Sequence, residues 1–254
     1  MKTIIITGAG SGIGRATAGR LAAEQDIALI LIGRNAQKLQ ETLTSLLHPE
    51  RHSIAAIDIS QKGEMARTLN ALAAKHPDIF GLFANAGIGG SNHFGPDDRW
   101  SEIVRVNLDG TYFSIMETLP YLKQSTESYK NILITSSCLA RFGVPEYTAY
   151  CTTKTGLLGL TRSLAVELAS QKIIVNALCP GWVDTDMARA GVQLLADKEG
   201  TTLAQEIERQ ESFVPLGKFS QPTEIAEFAA FMLLNKQTSI TGQALDINNG
   251  SFMI

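Results

Sequence analysis

The sequence predicts an α/β fold, a doubly wound parallel sheet with helices on both faces, formed as a single domain over residues 1–254. Three observations predict it. Short apolar runs without polar alternation, such as Ile4-Ile5-Ile6 and Ile27 to Ile32, suit strands buried on both faces. Longer stretches with helical spacing separate them, an alternation that builds right-handed βαβ units. A glycine-rich turn, Gly8 to Gly14, stands between the first strand and the first helix.

Taken in order, Thr3 to Thr7 reads as the first strand, and Arg15 to Gln25 as a helix with Ala18, Leu21 and Ala22 on one face. Ile27 to Ile32 is the second strand. The rhythm continues with a helix over Ala36 to Leu47, a strand at Ser53 to Ile57, a helix over Glu64 to Lys75 and a strand at Ile79 to Ala84. A helix over Glu102 to Leu119 precedes a strand at Asn131 to Thr135. A further helix, with Leu157, Leu160, Leu164 and Leu168 at helical spacing, precedes a strand at Ile173 to Leu178. The apolar helix Ile225 to Leu234 is expected to lie either at a subunit interface or inside the subunit, and Gln243 to Ile247 is the last strand. Between them, Thr185 to Pro215 has mixed charge and scattered apolar residues, which predicts one or two short helices in a mobile excursion. Such an excursion after a strand's carboxyl end is placed to serve as a substrate lid, or is a surface hairpin without a binding role.

Composition narrows the function. Apolar residues are 44% and charged residues 19%, enough to close a core without disulfides or metals. A net charge of −3 offers no basic field to a polyanion, so no nucleic-acid partner is expected. Cys138, Cys151 and Cys179 have no metal-like spacing, and His48, His52, His76 and His93 are dispersed, so no metal site is expected. The amino terminus carries no signal-like or spanning segment, which predicts a cytoplasmic protein with no membrane partner.

The turn Thr7-Gly8-Ala9-Gly10-Ser11-Gly12-Ile13-Gly14 sits where a phosphate-cradling loop of a Rossmann-type fold would sit. Glycines there let backbone amides and a helix N-terminus approach a pyrophosphate, making Gly8, Ser11, Gly12, Ile13 and Gly14 candidate cofactor contacts. The spacing is G-x-x-x-G-x-G. A tight turn binding nothing would read the same way if it stood alone. The end of the second strand, Ile32-Gly33-Arg34-Asn35, lacks the carboxylate that would hold a ribose 2′-hydroxyl and carries an arginine instead. That favours NADP(H) over NAD(H), with Arg34 on the 2′-phosphate, unless Arg34 is only a solvated loop charge. Ser11 supplies no second basic residue in the loop.

Tyr150 and Lys154 stand four positions apart on one helix face. An ammonium near a phenol favours the phenolate, which would make Tyr150 a proton donor and acceptor near neutrality. Ser137 stands thirteen residues earlier, at the end of a predicted strand.

On these residues the chain resembles the short-chain dehydrogenase/reductase family over essentially its whole length. The resemblance is carried by Gly8, Gly12 and Gly14, Asp58, Asn85-Ala86-Gly87, Asn107, Ser137, Tyr150, Lys154, Pro180-Gly181 and Thr185. It implies a hydride transfer between a nicotinamide and a carbonyl or alcohol carbon, with residues 1–110 mainly binding cofactor and 111–254 mainly substrate. Tyr150 would be the acid/base, Ser137 the hydrogen-bond donor to the substrate oxygen, Lys154 the partner of the nicotinamide ribose, and Asn107 the holder of a relay water. Asp58 and Ile59 would meet the adenine, Asn85, Ala86 and Gly87 the cofactor floor, and Pro180, Gly181, Val183 and Thr185 the carboxamide and phosphate end. Asn107, Asn85 to Gly87 and Pro180-Gly181 have structural readings as well, and the two kinds are compatible. Cys151 and Thr153 stand where the family is more often small or serine, and neither is expected to touch the proton path.

The resemblance is strongest to the 3-oxoacyl-thioester reductase and ketoreductase branch, implying a ketone or acyl-thioester substrate. An NAD-dependent alcohol, polyol or 3-hydroxyacid dehydrogenase is the alternative, and a non-catalytic dinucleotide sensor would be expected to have lost Ser137, Tyr150 or Lys154. Phe142, Val144, Trp182 and Met187, with Ser137 and Tyr150, are the candidate substrate contacts, ordinary core packing being the other reading of Phe142 and Val144. The family also implies a homo-oligomer, a dimer or tetramer, in which the helix of Tyr150 and the one before it form an interface.

Overall fold

The computed structural model describes residues 1–253. The chain runs β1 (Lys2–Thr7), α1 (Gly12–Ala22), β2 (Ile27–Gly33), α2 (Ala36–Ser45), β3 (Ser53–Ala56), α3 (Glu64–Leu72), β4 (Ile79–Ala84), α4 (Trp100–Val104), a π-helical turn (Arg105–Asp109) and α5 (Gly110–Gln124). It continues with β5 (Lys130–Thr135), α6 (Thr148–Leu168), β6 (Ile173–Pro180), α7 (Asp186–Glu199), α8 (Leu203–Ser212), α9 (Pro222–Leu233) and β7 (Ala244–Ile247). All seven strands pair in parallel in the order β3-β2-β1-β4-β5-β6-β7.

Two apolar cores explain why the strands read as unbroken runs. Ile5, Ile30, Ile32, Leu82 and Ile132 face one way, onto α3, α5 and α6. Their neighbours Ile4, Ile6, Leu29, Leu31, Phe83 and Leu133 face the other, onto α1, α2 and α9. Successive side chains point to opposite faces, so a strand covered on both must be apolar throughout.

Two elements depart from the sequence reading. α1 starts at Gly12, inside the glycine loop, where its first turn bears no apolar periodicity. The expected helix over Glu102 to Leu119 is two helices joined by the π-helical turn, which buries Asn107 completely. Of the two placements left open for α9, its inner face, with Ile225, Ala229, Ala230 and Leu233, takes the one inside the subunit, leaving Phe231 exposed. Residues 185–215 form two helices, as expected. No described helix is long and apolar enough to cross a membrane, and the described residues contain no His, Cys, Asp or Glu cluster able to hold a metal.

Candidate active site

At the end of β1 the chain turns through Gly8, at φ +69°, and enters α1 at Gly12, at φ +50°. A Cβ on Gly8 would lie 2.9 Å from Ala86 Cα, and one on Gly14 would collide with the Gly8 carbonyl oxygen and come within 2.8 Å of Asn85 Nδ2. The loop is therefore pressed against the end of β4. Ser11, the N-cap of α1, makes no side-chain cap bond, so the first-turn amides of α1 are left available. This cradle fits the pyrophosphate of a dinucleotide. Ile13 packs partly into the adjoining core.

Arg15 and Lys38 were not foreseen at this end. Arg15 Nη2 donates to the Gly10 carbonyl at 2.7 Å and its Nε to Thr42 Oγ1 at 3.0 Å, tying the loop to α2. Lys38 Cβ lies 3.1 Å from where a Cβ on Gly10 would be. Arg34 is exposed. Burial pushes the Asp58 carboxyl up, but its hydrogen bonds from Ser60 and the charges of Arg34 and Arg105 outweigh this and hold it below the usual carboxylate range. Ile59 is buried against Gly110 at the head of α5.

Asn85 cross-links three strand ends: its N–H donates to Thr7 Oγ1 at 3.0 Å, its Nδ2 to the Thr7 carbonyl at 3.1 Å, and its Oδ1 accepts from Thr135 Oγ1 at 3.0 Å. Ala86 N–H shares Thr7 Oγ1 at 3.0 Å. Gly87 completes this floor, since a Cβ there would lie 3.1 Å from Asn107 Oδ1 and 3.6 Å from Lys154 Nζ. Pro180 ends β6, and a Cβ on Gly181 would meet Asn248 at 3.1 Å. Val183 is buried in a bridge to Ser220, whose hydrogen bonds run through the Trp182 carbonyl and the Asp184 N–H on either side. Thr185 caps α7 by accepting from Ala188 N–H at 3.2 Å, and its methyl abuts Gly12, so α7 starts against the glycine loop.

The catalytic candidates meet between β5, the π-helical turn and α6. Ser136 Oγ donates to the Lys154 carbonyl at 2.8 Å, fixing the end of β5 to α6. Ser137 follows, its Oγ accepting from Leu139 N–H at 3.1 Å, beside Tyr150. Asn107 is locked by accepting from Ile88 N–H at 2.8 Å and donating to the Ile88 carbonyl at 2.9 Å. Lys154 Nζ is buried, donating to the Thr135 carbonyl at 2.8 Å.

Two expectations are corrected here. Lys154 does not lower the Tyr150 pKa in this structure: burial, only partly offset by the Ser137 hydrogen bond, leaves the phenol pushed up to about 12. The ammonium lies over the ring face, 5.5 Å from its centroid, with a neutral carbonyl as its partner, and burial pulls Lys154 down to about 8. Lys154 is buried and Tyr150 partly so, and each bears a desolvation cost without a close opposite charge. Thr153 does reach the proton path, because its hydroxyl accepts from Asn107 Nδ2 at 3.4 Å while donating to the Tyr150 carbonyl at 2.8 Å.

On the substrate side, Met187 Sδ lies 3.2 Å from where a Cβ on Gly89 would be, bringing α7 over the loop that follows β4. Phe142 stacks on Phe252 at 6.0 Å between ring centroids, a contact with the C-terminal turn that chain position gave no means of foreseeing. Val144 is partly buried in the turn before α6, where its carbonyl accepts from Tyr147 N–H. Trp182 stacks on Phe219 at 5.2 Å and lies against Gly191 of α7.

Comparison with known proteins agrees with this arrangement. The short chain dehydrogenase family model matches residues 2–193. The 3-oxoacyl-(acyl-carrier-protein) reductase of Rickettsia prowazekii is 31% identical, with 100% of this chain and 98% of the relative covered. A variant of actinorhodin polyketide ketoreductase solved with NADPH superposes with a TM-score of 0.91 at 28% identity, covering 98% of this chain and 97% of that one. The 3-ketoacyl-(acyl-carrier-protein) reductase of Brucella melitensis, complexed with NADH, gives 0.85 at 28% identity, covering 98% of each. The chain belongs to the short-chain dehydrogenase family and is an NAD(P)-dependent oxidoreductase acting between C=O and CH–OH.

Proposed function

We propose that the protein reduces a 3-oxoacyl thioester or a related ketone with NADPH. The observation that carries this is the meeting of Ser137, Tyr150, Lys154 and Asn107 beside the Gly87 floor, at the same sheet edge as the glycine loop. Bound NADPH would supply the hydride. Ser137 Oγ donates to the carbonyl oxygen and polarises it, and Tyr150 Oη delivers the proton as charge develops there. A phenol held protonated suits this direction. Lys154 Nζ holds the ribose hydroxyls, and the Asn107 turn the relay water.

The preference for NADPH rests on the absence of a carboxylate at the end of β2, with Arg34 exposed there and Lys38 beside Gly10. Similar structures have been solved with NADPH, with NADH and with NAD, so the arginine carries this point. The substrate class rests on the relatives' names and on the apolar groups Phe142 with Phe252 and Met187. Gly8, Ser11, Gly12, Ile13, Gly14 and Asp58 serve the cofactor, Phe142, Val144, Trp182 and Met187 the substrate, and residues 185–215 the lid. We further propose a cytoplasmic homo-oligomer built through α5 and α6, which expose Tyr112 (42%) and Val166 (82%). The test follows NADPH absorbance with a panel of 3-oxoacyl thioesters and cyclic ketones, for wild type and Tyr150→Phe. Turnover that falls about a thousandfold in the variant is expected. Retained turnover, or activity only in oxidising alcohols with NAD, overturns the proposal.

A further inference from the structure

The helix that carries Tyr150 and Lys154 has no cap of its own. Tyr147 precedes α6 and gives its first turn no side-chain hydrogen bond, although Ala149 in that turn is fully buried. A buried helix start leaves amides that need acceptors. Asn92, from the loop after β4, supplies one. Its Oδ1 accepts from Ala149 N–H at 2.9 Å and from Thr148 Oγ1 at 3.1 Å, and its own N–H donates to the Glu146 carbonyl at 2.7 Å.

The same side chain reaches a second helix. Asn92 Nδ2 donates to Asp98 Oδ1 at 3.2 Å, and that oxygen also accepts from Trp100 N–H at 2.9 Å, the first residue of α4. α4 runs directly into the π-helical turn that bears Asn107. One amide, 8% exposed, thus joins the starts of both helices that deliver the groups around Tyr150. It does so from the loop that continues the Asn85 to Gly87 floor, a segment with no helix or strand before Trp100.

We propose that Asn92, together with Asp98, is a positioning residue for the reduction, setting Tyr150 and Lys154 relative to Asn107 and the cofactor floor. The inference rests on Tyr150 being the proton donor. Its physical basis is that a reacting group displaced by a fraction of an ångström loses rate steeply, while a lost cap lets the first turn move.

The test uses Asn92→Ala, Asp98→Ala and the exchanged pair Asn92→Asp with Asp98→Asn, in the full chain. The exchanged pair keeps an acceptor for Ala149 and for Trp100 and reverses only the hydrogen bond between the two side chains. Asn92→Ala is expected to lower kcat about tenfold on the best ketone of the panel, with the NADPH Kd changed less than twofold. The exchanged pair is expected to recover most of the loss. Amide hydrogen exchange, which needs no substrate, is expected to quicken at 148–151 and 100–103 in Asn92→Ala while β1 and β4 stay protected. A wild-type kcat in Asn92→Ala, exchange that quickens uniformly across the sheet, or an exchanged pair as impaired as Asn92→Ala overturns the proposal. Tyr150→Phe separates the two inferences: if it stays active the proton-donor reading fails, and if it is inactive while Asn92→Ala is not, only the positioning role fails.

Discussion

Tyr150→Phe removes one phenol of five and leaves the other four tyrosines in place, so a difference titration of the cofactor-free proteins isolates Tyr150. Burial holds this phenol at about 12 against an ordinary value near 10, with Lys154 Nζ 5.5 Å from its ring centroid. At pH 10 an unperturbed tyrosine is half ionised, whereas a group at 12 is about 1% ionised. The phenolate absorbance of wild type minus variant should therefore stay near zero through pH 10. At neutral pH the phenolate is rarer still, on the order of one molecule in a hundred thousand, which makes the resting chain a proton donor. A full tyrosine equivalent appearing between pH 7 and 9 would show that Lys154 already stabilises the phenolate, and would refute the assignment of burial as the dominant effect.

Three further outcomes are expected. Isothermal titration should show Arg34→Ala losing about tenfold in NADPH affinity with NADH unchanged, as for one exposed charge-assisted phosphate contact, and equal loss for both cofactors would refute the 2′-phosphate role. Gly14→Ala places a methyl against the Gly8 carbonyl and Asn85, so it should lower stability by about 1–3 kcal/mol and weaken NADPH binding, read by thermal melting and titration. His76 is buried between Thr3 and Ser53, and burial holds it at about 4. Because its folded pKa lies below the unfolded value near 6.5, stability is fully present above pH 6.5 and falls as pH drops toward 4, by up to about 3 kcal/mol. Urea unfolding of wild type and His76→Gln across that window measures it, and parallel pH dependences would contradict the assignment.

Much of the architecture was legible along the chain because βαβ folding is local. Each strand of β1, β2 and β4 is a contiguous apolar run, and each crossover helix lies between the strands it joins. The glycine loop and the Tyr150 to Lys154 spacing were legible for the same reason, since a turn and a single helix face are set by neighbours a few residues apart. Asn92, Lys38, Thr153 and Phe252 were not. Their partners are Ala149, Gly10, Asn107 and Phe142, all distant in the chain or on other elements, and nothing in their own neighbourhoods marks them.

The amino-acid order by itself determined the parallel sheet and the glycine turn after its first strand, because periodicity and short spacing encode them, and its resemblance to the family nominated the proton-handling residues. Only the tertiary structure decided how those residues behave. The protonation of Tyr150 and Lys154 depends on how far each is removed from water and on which dipole it faces. The link from Asn92 to two helix starts depends on a loop folding back onto both. Desolvation and long-range hydrogen bonding are properties of the packed chain, created when segments far apart in sequence exclude water together.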